Sequence, residues 1–300
     1  MRSEPVDLSG LDPQRKAQFR ALTSAPDVAW PTVILCGILV VSYVSVYASA
    51  GLGLMPLWVG MLINAAVGYV SFSVAHDSIH RAISKNAKLN DFVGQLGMTM
   101  VLPFVDLRLF RWAHIQHHRF ANGARDPDKH FKGTGWTLPF RWMVIDAVYF
   151  VHSLKNGDKV SAGPFRASLV RGAIFVALLA VLTWAGFGME ILMLWFLPSR
   201  LILLALGFSF FWLPHVPHDV TQADHFTRAT TVREGYEAFF APVLQHQNFH
   251  LIHHLYPMTP FYNNGKVFHL IAPELRQYEL AVQKGFAIYP EIRPGKRAGT

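Results

Sequence analysis

Four stretches of about twenty apolar residues constrain this chain more than any other feature. An α-helix rises ~1.5 Å per residue, so about 20 residues cross a ~30 Å hydrocarbon layer. Residues 31–50, 56–75 and 172–189 carry no charged side chain, and residues 191–213 carry one, Arg200. Lipid offers no water to backbone N–H and C=O groups, so such segments satisfy themselves as helices. The links Gly51–Met55 and Met189–Glu190 leave room only for tight turns. The expected architecture is therefore all-α: one integral-membrane domain over residues 1–300. Its four transmembrane helices pair in two hairpins, beneath a helical cap formed by residues 76–171 and 214–290.

Charge orients that architecture. Of 27 Lys and Arg, four precede residue 31, thirteen lie within 76–169 and eight follow residue 213, whereas the two short turns have none. Positive charge stays on the cytoplasmic side, which predicts cytoplasmic termini and a cytoplasmic cap on a multi-pass protein of a bacterial inner membrane. Met1–Asp27 has no apolar h-region, so no cleavable signal peptide is expected. The net charge of +8 accompanies 52% apolar residues and a mean hydropathy of +0.26, which points to a membrane and away from nucleic acid. The single cysteine, Cys36, excludes an internal disulfide framework and cysteine-ligated zinc or iron–sulfur clusters, and it reads as a small buried apolar residue.

Several finer expectations follow within the cap. The apolar stretch Gly97–Val105 is too short to span and reads as re-entrant or interfacial. Thr137–Ser153 fits a helix on the membrane surface, Gly157–Pro164 a turn, and Glu291–Thr300 a loose polar tail. Arg200 is costly in an apolar run and should pair within the bundle, with a partner the sequence does not name.

Histidine is the residue type left to explain. Eight of the fifteen fall in three clusters: His76 and His80; His114, His117 and His118; and His250, His253 and His254. Spacings of three and four place imidazoles on one face of a helix. A lone HxxHH is ordinarily a surface or core feature, but charge counting puts all three clusters on one side of the membrane, which favours metal. Eight imidazoles exceed the four ligands of one closed zinc site, so two ions are the natural count. Neutral imidazole suits zinc, copper, iron and nickel alike, so the metal stays open on these grounds. Glu-x-x-His pairs of carboxylate di-iron bundles are absent.

The stretches HDSIH (76–80), HIQHHRFANGARDPD (114–128) and QNFHLIHHLYPMTPFY (247–262) resemble the integral-membrane fatty acid desaturase superfamily. Within it, LPHVPHD (213–219), DHFTRAT (224–230) and the last histidine box look closest to membrane β-carotene hydroxylases and ketolases. The resemblance implies a histidine-bound pair of iron ions, with O2 as co-substrate. It carries ligand roles onto His76, His80, His114, His117, His118, His250, His253 and His254. A further ligand just past the fourth span matches His215, with His218 as its competitor. Asp77, Asn122, Asp126, Asp128, His218 and His225 are candidates to orient ligands, because a ligating imidazole usually gives its other N–H to a carboxylate or carbonyl. For Asp126-Pro127-Asp128 a plain turn fits equally well.

The expected activity is O2-dependent hydroxylation or desaturation of a lipophilic substrate from the bilayer, carotenoid or fatty acyl. Fatty acyl-lipid desaturation is the alternative within this class. A metal-dependent membrane hydrolase and a non-catalytic lipid-binding protein are the rival classes; the first turns over without O2, and the second needs no metal. No flavin or dinucleotide fingerprint is visible, so electrons are expected from an external donor, a ferredoxin or similar carrier with its reductase. A basic cytoplasmic surface would attract an acidic carrier.

Overall fold

The computed structural model describes residues 6–296. Its helices are α1 (Pro13–Thr23), α2 (Trp30–Gly51), α3 (Leu57–Ile79), α4 (Ala87–Val101), α5 (Leu107–Phe120), α6 (Leu138–Trp142), α7 (Ile145–Asn156) and α8 (Ala162–Trp184). They continue as α9 (Gly188–His215), α10 (Glu237–Val243), α11 (His250–Leu255) and α12 (Asn264–Leu275). Contacts divide the described chain into two compact units, one of residues 27–115 and 133–207, the other of residues 6–26, 116–132 and 208–296.

Four helices, α2, α3, α8 and α9, are long and apolar enough to cross a membrane. The chain is an integral, multi-pass membrane protein. The outward faces of α2 and α8 carry Ile34, Ile38, Val41, Ile174, Val181 and Trp184, all exposed, as hydrocarbon-facing side chains should be. The third span begins at Ala162, ten residues ahead of the apolar run, because Arg166 and Arg171 extend the helix without ending it. Asp158 holds the turn that leads into it, accepting from the N–H groups of Val160 and Ser161 at 2.8 and 2.9 Å.

The membrane-spanning unit packs α2, α4 and α9 against α3. Most of Gly97–Val105, read as re-entrant or interfacial from its length, belongs to α4, which lies against α3. Two glycines permit that approach. A Cβ at Gly94 would stand 2.1 Å from Ser78 Cβ, and one at Gly97 would meet the backbone of Ser71 and Ala75 at 3.0 Å. Cys36, Leu39, Val67, Val74, Val93 and Met100 form the buried core there. Thr137–Ser153 does contain helix, as α6 and part of α7.

Arg200 has a partner. Its guanidinium grips Asp146 of α7 at 2.6 and 3.2 Å and donates to the Met143 carbonyl at 2.6 Å. Asp146→Ala would strand this charge in an apolar span. It should cost about 3 kcal/mol or more, read as a lower unfolding temperature in detergent, and the double replacement Arg200→Met/Asp146→Leu should recover most of the loss.

The second unit corrects the all-α expectation. Three short strands, β1 (Thr231–Glu234), β2 (Leu280–Lys284) and β3 (Glu291–Arg293), form a sheet with β1 parallel to β2 and β2 antiparallel to β3. Val232 and Val282 are fully buried beside Leu251, Ile252, Val267 and Ile271, so the sheet closes the core on α11 and α12. Glu291–Arg293 is accordingly strand and not loose tail, held by Arg293 to Glu234 at 2.6 Å. Residues 297–300 lie outside the described range.

Candidate metal centre

Each unit carries its own group of buried imidazoles. In the membrane-spanning unit, His76 is on α3, His80 caps its C-terminus and His114 is on α5. Their ring centroids are 4.9–5.2 Å apart, and ligand nitrogens from the three rings lie within 4.8 Å of one another. A helix end leaves carbonyls without partners and carries partial negative charge. Here Arg111 of α5 donates to the Ser78 and Ile79 carbonyls at 3.1 Å, and Asn90 of α4 donates to Ser78 O at 2.9 Å. Asp91 in turn holds Arg111 at 2.5 Å. The end of α3 and the start of α5 are thereby fixed together, and with them the three imidazoles.

In the second unit, His117 of α5, His215 at the end of α9, and His250 and His254 of α11 converge within 4.8 Å, all buried. The outer nitrogens of three of them are taken by oxygen acceptors. His117 Nδ1 lies 2.9 Å from Asp126 and 3.1 Å from Asp128. His250 Nδ1 meets Gln247 Oε1 at 2.5 Å, and His254 Nδ1 meets Gln222 Oε1 at 3.0 Å. Such partners place the proton on Nδ1 and leave Nε2 with its lone pair. Consistent with that, His254 Nε2 is buried without a hydrogen-bond partner, and His250 Nε2 faces His215 Nε2 at 3.0 Å. Converging lone pairs on buried rings repel unless a cation stands among them, so this donor set fits a metal ion.

Electrostatics agree. Burial works against charge on His117, but Asp128 and Asp126 outweigh it and push its pKa up to about 9. Burial, then the neighbouring His118 and His250, hold His254 well below the ordinary imidazole value, so its ring is neutral. A bound cation would replace the His117 proton and inherit the two carboxylates. Metal affinity should therefore rise with pH up to about 9. Asp126→Ala should weaken metal binding about 10–100-fold, measured by chelator competition, and blunt that pH dependence.

The other expected residues divide between the two units. His118 and His253 face each other with Nε2 atoms 2.9 Å apart, and the His118 ring stacks on His254 at 4.2 Å. His218 lies outside the four-imidazole group; its Nδ1 is 3.3 Å from Asn122 Oδ1, and burial followed by Lys132 pulls its pKa down to about 3. Asn122, at φ 63°, is a loop clasp: its N–H reaches Asp126 at 2.7 Å and its amide donates to the Val220 and Ala229 carbonyls. Asp77 accepts from Thr32 at 3.1 Å, tying α3 to α2. His225 sits in the 221–230 turn region, with its carbonyl accepting from Ala229, and belongs to neither imidazole group. Sequence reasoning missed Gln222, Gln247, Asn90 and Arg111. Gln247, three residues before His250, could have been found from helical spacing.

Comparison with known proteins agrees with this geometry. The chain is 26% identical to a spinach protein named chloroplastic omega-6 fatty acid desaturase over 281 residues, covering 78% of this chain and 57% of that one. It is 27% identical over 194 residues to a Paracoccus β-carotene ketolase, covering 64% of this chain and 70% of the ketolase. An Arthrospira platensis sn-1 oleoyl-lipid 12-desaturase is 32% identical over 96 residues, 31% of this chain and 26% of its own length. The chain thus spans little more than half of the spinach relative. The fatty acid desaturase profile matches residues 22–286 and takes in every histidine of both buried groups. On that match, the chain belongs to the fatty acid desaturase family.

Proposed function

We propose that this protein is an O2-dependent di-iron oxidoreductase that hydroxylates or desaturates a lipophilic substrate drawn from the bilayer, a carotenoid or a fatty acyl group. The observation that carries it is the convergence of His117, His215, His250 and His254, with outer nitrogens engaged by Asp126, Asp128, Gln247 and Gln222. These four would hold one iron; His76, His80 and His114 would hold the other, and His118 and His253 complete the ligand set. When bound, the iron pair supplies O2 reduction and hydrogen removal from an unactivated C–H bond, chemistry that no side chain provides. The protein's part is to hold nine imidazoles, fix the tautomers of His117, His250 and His254, balance the cationic charge through Asp126 and Asp128, and exclude water from the centre.

The family and its relatives support a lipid-type substrate. Relatives named as desaturases and as ketolases both match, so the test compares the two outcomes directly. Expression in a carotenoid-making host and in a plain host, followed by mass analysis of pigments and fatty acids, should give a new hydroxylated or oxidised pigment, or a new double bond, that the His250→Ala variant does not give. No new product in either host would contradict the proposal.

We further propose two helical hairpins entering from the cytoplasm, with residues before Trp30 and after His215 on the inner side. The support is the charge asymmetry: no Lys or Arg in the 51–55 and 189–190 turns against 25 in the segments assigned inside. A reporter placed after Thr300 and one inserted at Gly51–Leu54 should label opposite sides. Labelling of the same side would overturn this topology.

A further inference from the structure

Beyond the metal centre, the second unit exposes an aromatic patch that its own backbone chemistry prepares for lipid. Tyr236 is 66% exposed, Phe286 69% and Tyr289 70%, with Phe239, Val243 and Ile288 exposed beside them. The rings are clustered: Phe286 lies 5.4 Å from Tyr236 and 5.9 Å from Phe239, between centroids. Exposed apolar patches of this kind mark a surface made for a partner.

Two observations identify the partner as the bilayer. First, the patch is anchored on the last turn of a membrane span. Phe240 and Leu244 pack on Trp212 and Leu213, and Gln283 of β2 donates to the Leu213 carbonyl at 3.1 Å. Second, the loop that presents Phe286 satisfies much of its backbone from within its own unit. Arg233, itself buried, donates to the carbonyls of Gly285 and Ala287, and Gln283 donates to Ile288 O at 2.6 Å. The Gly285 and Ala287 N–H groups bond to Glu234 O and Lys284 O at 2.8 and 2.9 Å. A loop turned toward water has no need of buried donors for its carbonyls, whereas one dipping into the headgroup layer must satisfy them internally. Gly235 and Gly285, at φ 86° and 51°, permit the tight backbone path.

We infer that Tyr236, Phe239, Phe286 and Tyr289 form an interfacial anchor that inserts into the headgroup region and seats the β1–β3 unit on the membrane surface. Tyr and Phe are suited to it, since amphipathic and aromatic rings concentrate at that depth. The inference stands independently of the proposed activity.

The test uses the full chain carrying Cys36→Ala and a single cysteine at position 286, 289 or 266, labelled with a nitroxide and reconstituted in phosphatidylcholine–phosphatidylglycerol vesicles. Lys266 is an exposed cation and serves as the aqueous reference. Labels at Phe286→Cys and Tyr289→Cys should collide with O2 relative to a water-soluble nickel chelate at least threefold more than the label at Lys266→Cys. Equal ratios at all three sites would overturn the inference. So would spin–spin broadening at 286 or 289, which would assign the patch to a second copy of the chain. Position 289 is the more exposed and keeps the test decisive where the 286 variant does not fold.

Discussion

His215→Ala is expected to lower bound iron by about half and to reduce product formation by at least the ~100-fold that losing an orienting partner alone can cost, whereas His218→Ala should stay within about tenfold of the parent by the same reasoning. The two residues are three apart, His215 buried at the end of α9 and His218 half-buried just past it, so sequence alone leaves them in competition. Geometry separates them. His215 Nε2 stands 3.0 Å from His250 Nε2 and within the group of four imidazoles, while His218 turns toward Asn122. Removing His215 leaves His117, His250 and His254 to hold an ion with three nitrogens. Removing His218 loosens one contact to a loop that Asn122 still clasps through Val220, Ala229 and Asp126. Metal analysis of the two purified variants, alongside product yield, checks the difference. Greater damage from His218→Ala would reassign the ligand.

On the proposed function, the second large effect is a requirement for O2 and for an outside reductant, and turnover should be undetectable without either. Reducing O2 to water takes four electrons. Inserting a hydroxyl group or forming a double bond supplies two of them from the substrate, so two must arrive from elsewhere. Cys36 is the one cysteine in the sequence, too few to ligate an iron–sulfur relay. NADPH alone should therefore fail, and a ferredoxin with its reductase should succeed. The sequence carries a net charge of +8, and screening at physiological salt acts over ~8 Å. The rate with an acidic carrier should thus fall as salt is added. Oxygen-dependent product formation, titrated with carrier at several salt concentrations, measures both. Full turnover with NADPH alone would contradict the external-donor assignment.

What the sequence made legible was what composition and short-range spacing encode. Four apolar runs located four spans, because lipid demands a long uninterrupted signal. The box histidines lie three and four residues apart on α5 and α11, so helical periodicity alone aligned them. Asp126 and Asp128 were visible as neighbours of the second box. Long-range pairings were not legible. Asp146 and Arg200 are 54 residues apart, Gln222 and His254 are 32 apart, and no local pattern links them. The sheet was missed for the same reason: Thr231 pairs with Ala281 across an intervening helical stretch, and strands of three to five residues carry too little alternation to stand out. Span limits shifted where charge and helicity disagree, as at Arg166 and Arg171, since a charged residue ends a hydrophobic run but not a helix.

The most direct test is the metal content of purified full-length protein from cells grown with ample iron, by inductively coupled plasma mass spectrometry against quantitative amino-acid analysis. Two groups of buried imidazoles, at His76/His80/His114 and at His117/His215/His250/His254, predict two iron atoms per chain. His250→Ala should carry about one. A single stoichiometric zinc, or no bound metal, in protein that still turns over without O2 would contradict the di-iron account.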